Sequence, residues 1–295
     1  MGMGKQRSRQ IRLAKSAGFC FGVKRALDIA LKTSLSKKKV YMLGDIVHNE
    51  DVVKRIENAG IKKVKRLKKT NGAIMLIRAH GASINIFKKA SALGYKIIDA
   101  TCPMVKEIHK IAKGMEERNY KIIVIGDKNH EEVRGIIGQL KKRAIVIDNP
   151  IKIPLHQIKG VKKACIVVQS TQNLDNTLKA VGILKKYIPD LVFFNTICKP
   201  TRTKQEEIKA LPLENDLMII IGSKNSANTK RLYEISHSLN KKTWWVNSKK
   251  DIKASWFKNT RSVGVTAGAS TPQDIIEDIL SFIRELPSLP LANHH

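Results

Sequence analysis

Three stretches decide the fold: "YMLGDIVHNEDVVKRI" (Tyr41–Ile56), "IVIGDKNHEEVRGI" (Ile123–Ile136) and "IIIGSKNSANTKRL" (Ile219–Leu232). Each is an apolar run ending in glycine (Gly44, Gly126, Gly222), then a polar loop, then an amphipathic pattern. A run of this length and apolarity predicts a strand, and the pattern after it predicts a helix. Four residues beyond each glycine stand His48, His130 and Ser226. Counting backwards, Cys20, Cys102 and Cys198 each precede their glycine by 24 residues. One αβ unit therefore occurs three times, with a cysteine heading each copy.

Working outward, strand-like and helix-like runs alternate along the whole chain, as in "GAIMLIRAHG" followed by "SINIFKKASALG". Alternation of this kind predicts small, mainly parallel sheets covered by helices, an α/β class. The expected organisation is three αβ domains at 21–102, 103–198 and 199–290, the last joined by the segment 11–20. We expect them to be related by a pseudo-threefold axis around a central pocket. Further strand-to-helix turns, "RAHGAS" (Arg78–Ser83), "QSTQN" (Gln169–Asn173) and "TAGASTP" (Thr266–Pro272), add loops at the carboxyl ends of strands. Open parallel sheets place their ligands there.

The 295 residues carry 55 Lys and Arg against 25 Asp and Glu, a formal charge of +30. The lysines are scattered, in "SKKK", "KKVKRLKK" and "NKK", so they describe solvated faces rather than a reading surface for nucleic acid. Aromatic content of 5% and the lack of an RNA-binding module argue in the same direction. The longest apolar runs, such as "LMIII" (Leu217–Ile221), are strand-sized and far from a membrane span. The basic start lacks a secretory apolar region, and the expectation is a cytosolic, cytoplasmic protein. The tail "LANHH" lies outside every motif.

In such a compartment the four cysteines are not expected to form disulfides. Cys165, in "ACIVVQ", has no counterpart in the repeats and reads as a buried core thiol. A core position copied three times would drift to Ala or Val, so Cys20, Cys102 and Cys198 read as a converging tripod for a soft metal centre. A zinc ion with a fourth ligand and a cubane iron–sulfur cluster with one iron lacking a protein thiolate both satisfy three thiolates.

His48, Asn49, His80, His130, Glu132, Ser170, Thr171, Ser226, Asn228 and Ser270 fall at expected strand-to-helix junctions. Helix N-termini there favour an anion such as phosphate, and imidazoles and hydroxyls add donors. Each Ser, Thr or Asn taken singly is equally well a helix cap. Taken as a set, a shared anion pocket accounts for them better. A carboxyl in "NHEEVRG" suits a proton donor, and the spacing alone leaves Glu131 and Glu132 as competitors. His109, His156 and His237 read as structural or exposed. There is no GxxxxGK[ST] loop and no GxGxxG after a strand, so nucleotide or nicotinamide use is not indicated.

With these motifs on the page, the chain resembles the LytB/IspH family of 4-hydroxy-3-methylbut-2-enyl diphosphate reductases. The matching stretches are "AGFCFGV", "GDIVHN", "AHG", "DATCP", "NHEEV" with "GQ", "QSTQ", "TICKPTRTKQE", "GSKNSANTKRL" and "VGVTAGAS", from about residue 12 to 284. The resemblance implies three αβ domains around a 4Fe-4S iron–sulfur cluster held by Cys20, Cys102 and Cys198, with one open iron. It implies that His48, His80, His130, Ser170, Thr171, Ser226, Asn228 and Ser270 bind the substrate and its diphosphate. Ala227 belongs to the same binding set but stands where the family often has Ser, which implies one contact fewer.

For catalysis the resemblance implies Glu132, rather than Glu131, in proton delivery, with His130 and with Ser170 where the family usually has Thr. The implied reaction is reductive dehydroxylation of 4-hydroxy-3-methylbut-2-enyl diphosphate to isopentenyl and dimethylallyl diphosphate, the last step of non-mevalonate isoprenoid synthesis. Electrons come from an external donor such as ferredoxin or flavodoxin, whose acidity gives the +30 charge a use. The alternative is an open-iron hydro-lyase acting on another small anion, which needs no reductant.

Overall fold

A computed structural model describes residues 9–286; the "LANHH" tail, and residues 287–290 of the third expected domain, lie outside the described residues. From the N-terminal side, β1 (Gln10–Leu13) leads to Cys20 and α1 (Phe21–Ser34). Next come β2 (Val40–Leu43), α2 (Glu50–Asn58), β3 (Ile61–Val64), β4 (Ile74–Ile77), α3 (Ile84–Ala92) and β5 (Lys96–Asp99). Then follow α4 (Pro103–Glu117), β6 (Lys121–Ile125), α5 (Glu131–Ile137), β7 (Ile145–Ile147), α6 (Leu155–Ile158), β8 (Lys163–Val168), α7 (Leu174–Leu184) and β9 (Asp190–Phe193). The last part holds α8 (Lys199–Ala210), β10 (Leu217–Ile221), α9 (Ala227–Leu239), β11 (Thr243–Val246), β12 (Ser262–Ala267) and α10 (Gln273–Glu285).

The strands form three four-stranded sheets, ordered β3-β2-β4-β5, β7-β6-β8-β9 and β11-β10-β12-β1. Every pairing is parallel. The three orders are the same motif. The fourth strand of each (β5, β9, β1) runs to a cysteine, and the helix after that cysteine leads to the second strand of the next sheet. The 24-residue offset is thus one helix plus one strand, and the N-terminal β1 closes the series by pairing with β12.

Central strands are apolar along their whole length because both faces are covered: β4 "IMLI" and β10 "LMIII" are buried at every residue. One face of the β2 sheet packs Ile46, Val52 and Ile56 of the α2 region, and the other packs Ala90 and Tyr95 beside Met75. The β6 sheet has the same two-sided build, with Ile108, Ala112 and Met115 of α4 on one face and Ala180 and Leu184 of α7 on the other. The edge strands β3 "IKKV" and β7 "IVI" are short, and β3 is charged, so no strand signal marks them in the sequence. Among the described residues no helix is long and apolar enough to cross a membrane.

The chain separates into two compact units. One comprises residues up to 19 with those from 202 onward, and carries the β10 sheet. The other is Cys20–Thr201, with the β2 and β6 sheets.

Candidate active site

In the Cys20–Thr201 unit, four strand ends deliver the polar residues. His48 follows β2, His80 follows β4, His130 caps α5, and Ser170 and Thr171 follow β8. Asn49 acts as the N-cap of α2, its side chain accepting from the Val52 N–H at 3.0 Å; its oxygen is therefore engaged with its own helix. The loop bearing His80 is held to α5 by two bonds. Ile84 N–H donates to Gly138 O (3.1 Å), and Gln139 Nε2 donates to Ala82 O (2.8 Å). The "GQ" of the sequence thus positions the "AHG" turn.

The three imidazoles meet. His48 and His80 are stacked with ring centroids 4.3 Å apart, and His130 stands edge-on to both at 5.0 and 5.3 Å. The ring nitrogens lie within 4.8 Å of one another. Burial lowers the pKa of His48 and holds His80 well below the ordinary histidine value, so both rings are neutral in the absence of an anion. Nδ1 of His130 accepts from the Glu132 N–H (3.1 Å), which fixes the proton of the neutral ring on Nε2.

Two residues join this cluster without having been assigned a role from sequence. Arg78 is half-buried and forms an ion pair with Oε1 of Glu131, while Oε2 of Glu131 lies 3.9 Å from both His48 Nε2 and His80 Nδ1. Gly44 makes room for the pair: with φ +79°, a Cβ there would lie 2.5 Å from Arg78 Nη1. The spacing of "NHEE" gives no hint of this, because Arg78 and Glu131 are 53 residues apart and meet through packing.

The neighbouring carboxylate differs in every respect. Glu132 is 1% exposed, accepts the Ser170 N–H at 2.6 Å on one oxygen, and accepts the Ser170 hydroxyl at 2.8 Å on the other. Desolvation pushes its pKa up to about 7 against the pull of both Ser170 bonds. A carboxyl poised near neutrality in a buried site is what proton transfer requires. Thr171 accepts from Gln169 Nε2 at 3.0 Å, leaving its own hydroxyl hydrogen available.

Cys20, Cys102 and Cys198 all belong to this unit, each immediately before a helix (α1, α4, α8), and all are free thiols. The backbone N–H groups of Met104 and Val105 favour the ionised Cys102 sulfur, and the Cys198 sulfur lies 3.1 Å from Thr201 Oγ1. A Cβ on Gly22 would fall 2.6 Å from the Cys102 sulfur and 3.9 Å from that of Cys20, so glycine is what lets the two approach. Arg25 reinforces the approach by donating to Thr101 O at 3.1 Å. Burial raises the pKa of Cys102, and that of Cys198 to about 11, with Cys20 and Glu132 adding to both. A positive centre between these partly buried thiols would favour their ionised form, which fits a metal group.

Among the described residues, the group of His, Cys or acidic side chains placed to hold a metal ion is the histidine set, with ligand atoms within 4.8 Å of one another. Cys165 is fully buried in β8 and far up in pKa, at about 12, as an apolar wall dictates.

In the other unit, β10 and β12 are paired and end beside each other. Ser226 caps α9 by accepting the Thr229 N–H (3.3 Å), and Asn228 Oδ1 accepts the Ala269 N–H (2.9 Å), tying α9 to the loop of Ser270. The Asn228 Nδ2 is buried without a hydrogen-bond partner, and Ala227 and Ser270 are buried next in line. His109 is largely buried on α4 with its pKa lowered to about 4, a packing residue behind the His80 turn.

Fold and site together define a class: an α/β protein built on a thrice-repeated parallel sheet unit, with three cysteines each standing immediately before a helix and a carboxyl near neutral pKa beside an imidazole cluster. A family model described as LytB protein matches residues 11–284, and the chain belongs to that family. Its relatives are iron–sulfur dependent. The chain is 38% identical over 279 residues to 4-hydroxy-3-methylbut-2-enyl diphosphate reductase of Geobacter metallireducens, covering 95% of this chain and 98% of that one. Identity to the Aquifex aeolicus protein of the same name is 39% over 278 residues, covering 93% and 96%.

Among solved structures, (E)-4-hydroxy-3-methyl-but-2-enyl diphosphate reductase, the terminal enzyme of the non-mevalonate pathway, aligns with TM-score 0.69 and 38% identity. It covers 94% of this chain and 99% of that one. The Plasmodium falciparum E-1-hydroxy-2-methyl-but-2-enyl-4-diphosphate reductase aligns with TM-score 0.87 and 29% identity over 95% and 89%.

Proposed function

We propose that this chain is an oxidoreductase that converts 4-hydroxy-3-methylbut-2-enyl diphosphate to isopentenyl and dimethylallyl diphosphate, the last step of the non-mevalonate route. The observation that carries the reading is Glu132: a buried carboxyl with pKa near 7, gripped by Ser170, in the same unit as three thiols and three clustered imidazoles. The reaction takes two electrons and two protons. One proton leaves with the allylic hydroxyl as water, and the other ends on carbon.

Cys20, Cys102 and Cys198 hold a 4Fe-4S cluster through three thiolates. Three soft thiolates, each heading one copy of the repeated unit, are the donor set that supports the cluster. When bound, the cluster supplies the electrons and an iron without a protein ligand that acts as a Lewis acid on the substrate hydroxyl. Gly22 and the N–H groups of α4 and α8 shape and charge-balance its cradle.

His48, His80 and His130 hold the substrate's diphosphate. The anion restores the protonation that burial removes from His48 and His80, so these two rings become charge-assisted donors on binding, while His130 donates through Nε2. Thr171, and in the other unit Ser226, Asn228 and Ser270, are assigned as further substrate contacts, with Ala227 contributing backbone only. Glu132 gives its proton toward the departing hydroxyl; Ser170 holds the carboxyl in place and bridges the proton to the substrate; His130, bonded to the Glu132 N–H, orients that turn. Electrons enter from an acidic donor such as ferredoxin or flavodoxin, drawn by the +30 charge. Anaerobic purification with iron and sulfide analysis is the test: about four of each per chain is expected, and an iron-free active protein would end the reading.

A further inference from the structure

The imidazole cluster has a donor set suited to more than an anion. His48 Nε2 and His80 Nδ1 both lie 3.9 Å from the same carboxylate oxygen, Oε2 of Glu131, and the three rings bring their nitrogens within 4.8 Å of one another. Arg78 occupies the other oxygen of Glu131, which turns Oε2 toward the rings. Both His80 Nδ1 and Glu131 Oε2 are buried without a hydrogen-bond partner. An imidazole nitrogen and a carboxylate oxygen buried 3.9 Å apart are stabilised by a cation or a proton held between them.

We propose that His48, His80, His130 and Glu131 form a binding site for a divalent transition ion of the zinc type, filled as an alternative to the anionic substrate. Imidazole nitrogen and carboxylate oxygen are zinc's ordinary ligands at about 2.0–2.2 Å, so in tetrahedral geometry the 3.9 Å gaps close by about half an ångström and the nitrogens, up to 4.8 Å apart, by about an ångström more. His130 is the weakest member of the set. Its Nδ1 accepts the Glu132 N–H (3.1 Å), and ligating through either nitrogen disturbs that bond. The ion and the diphosphate use the same nitrogens, so they compete; this half of the proposal rests on the reductase reading, whereas ion binding itself rests on the side-chain geometry alone.

The test uses the anaerobically prepared, cluster-loaded full chain, dialysed against zinc at free concentrations fixed by a chelating buffer, with zinc and iron both counted per chain. One zinc per chain with iron unchanged is expected. His80→Asn and Glu131→Gln should each weaken zinc binding by more than about tenfold, and His130→Asn by less. If His80→Asn loses its iron through misfolding, Glu131→Gln, which keeps the side chain's shape, carries the comparison. No retained zinc, equal retention by the variants, or uptake matched by loss of iron from the thiolates would each overturn the site. In the turnover assay, KM for the substrate should rise in proportion to free zinc while kcat holds; a KM indifferent to bound zinc would overturn the competition. A chain with no reductase activity at all would fail the reductase reading and leave the zinc count to be judged by itself.

Discussion

Glu132→Gln is the substitution whose consequences the structure fixes most closely. The Glu132 carboxyl is 1% exposed and meets Ser170 through both oxygens, at 2.6 and 2.8 Å. Gln keeps the shape: its oxygen accepts the Ser170 N–H, and its amide donates to a Ser170 hydroxyl that turns its lone pair inward. What it cannot do is give up a carboxylic proton. The folded pKa of about 7 stands above the ordinary carboxyl value of 4.5, so the native state binds more protons than the unfolded state in that window. Stability therefore falls as pH rises from 4.5 to about 7, by about 3 kcal/mol in total at about 1.4 kcal/mol per unit, and levels off above. The Gln variant has no such slope. Its unfolding temperature should gain on that of the parent between pH 5 and pH 8, while iron content stays equal.

The kinetic consequence is larger. Loss of a general acid costs about 10²- to 10⁴-fold, so single-turnover product formation from a pre-reduced enzyme, which removes electron delivery from the comparison, should fall by at least about 100-fold. The parent's rate should fall with rising pH above about 7, as Glu132 loses its proton. A Gln variant within a few-fold of the parent, or a parent rate that rises through that range, would refute the assignment. Glu131→Gln, which loosens Arg78 and the imidazoles instead, should raise KM more than it lowers kcat.

Cys20→Ser, Cys102→Ser and Cys198→Ser should each lower bound iron and activity. Cys165→Ser should retain the iron at a cost of about 1–3 kcal/mol in stability for a hydroxyl buried in an apolar wall; iron and sulfide counts separate the two outcomes. Gly44→Ala should raise KM and lower stability by about 1–2 kcal/mol, because a left-handed backbone and Arg78 both oppose a Cβ there, and thermal melts with substrate titrations read both effects. A substrate alcohol without its diphosphate should bind far more weakly than the substrate, and inorganic diphosphate should compete; equal affinities by calorimetry would remove the anion pocket.

The repeated sheet was legible because its signals are local. A strand with both faces covered is apolar throughout, as in "LMIII", a glycine ends it, and a cap residue such as Asn49 or Ser226 starts the next helix. The 24-residue offset survived in sequence because each copy spends the same length on one helix and one strand. The edge strands β3 and β7 gave no such signal, since "IKKV" and "IVI" owe their conformation to a neighbour rather than to their own pattern. The site divides in the same way. The positions of His48, His80, His130 and Glu132 at helix starts follow from local motifs, whereas the link between Arg78 and Glu131 and the opposite environments of Glu131 and Glu132 arise only when the β2 and β6 sheets pack. Two adjacent glutamates on one helix turn point in different directions, and what each meets is tertiary.

The central claim is that this chain spends electrons to remove a hydroxyl from an allylic diphosphate. The most direct measurement is anaerobic turnover of 4-hydroxy-3-methylbut-2-enyl diphosphate by the cluster-loaded chain with a metered one-electron reductant, counting reductant oxidised against isopentenyl plus dimethylallyl diphosphate formed. Two electrons per product molecule and no product without reductant are expected. Product formed at the same rate with no reductant would mean elimination rather than reduction, and would contradict that claim.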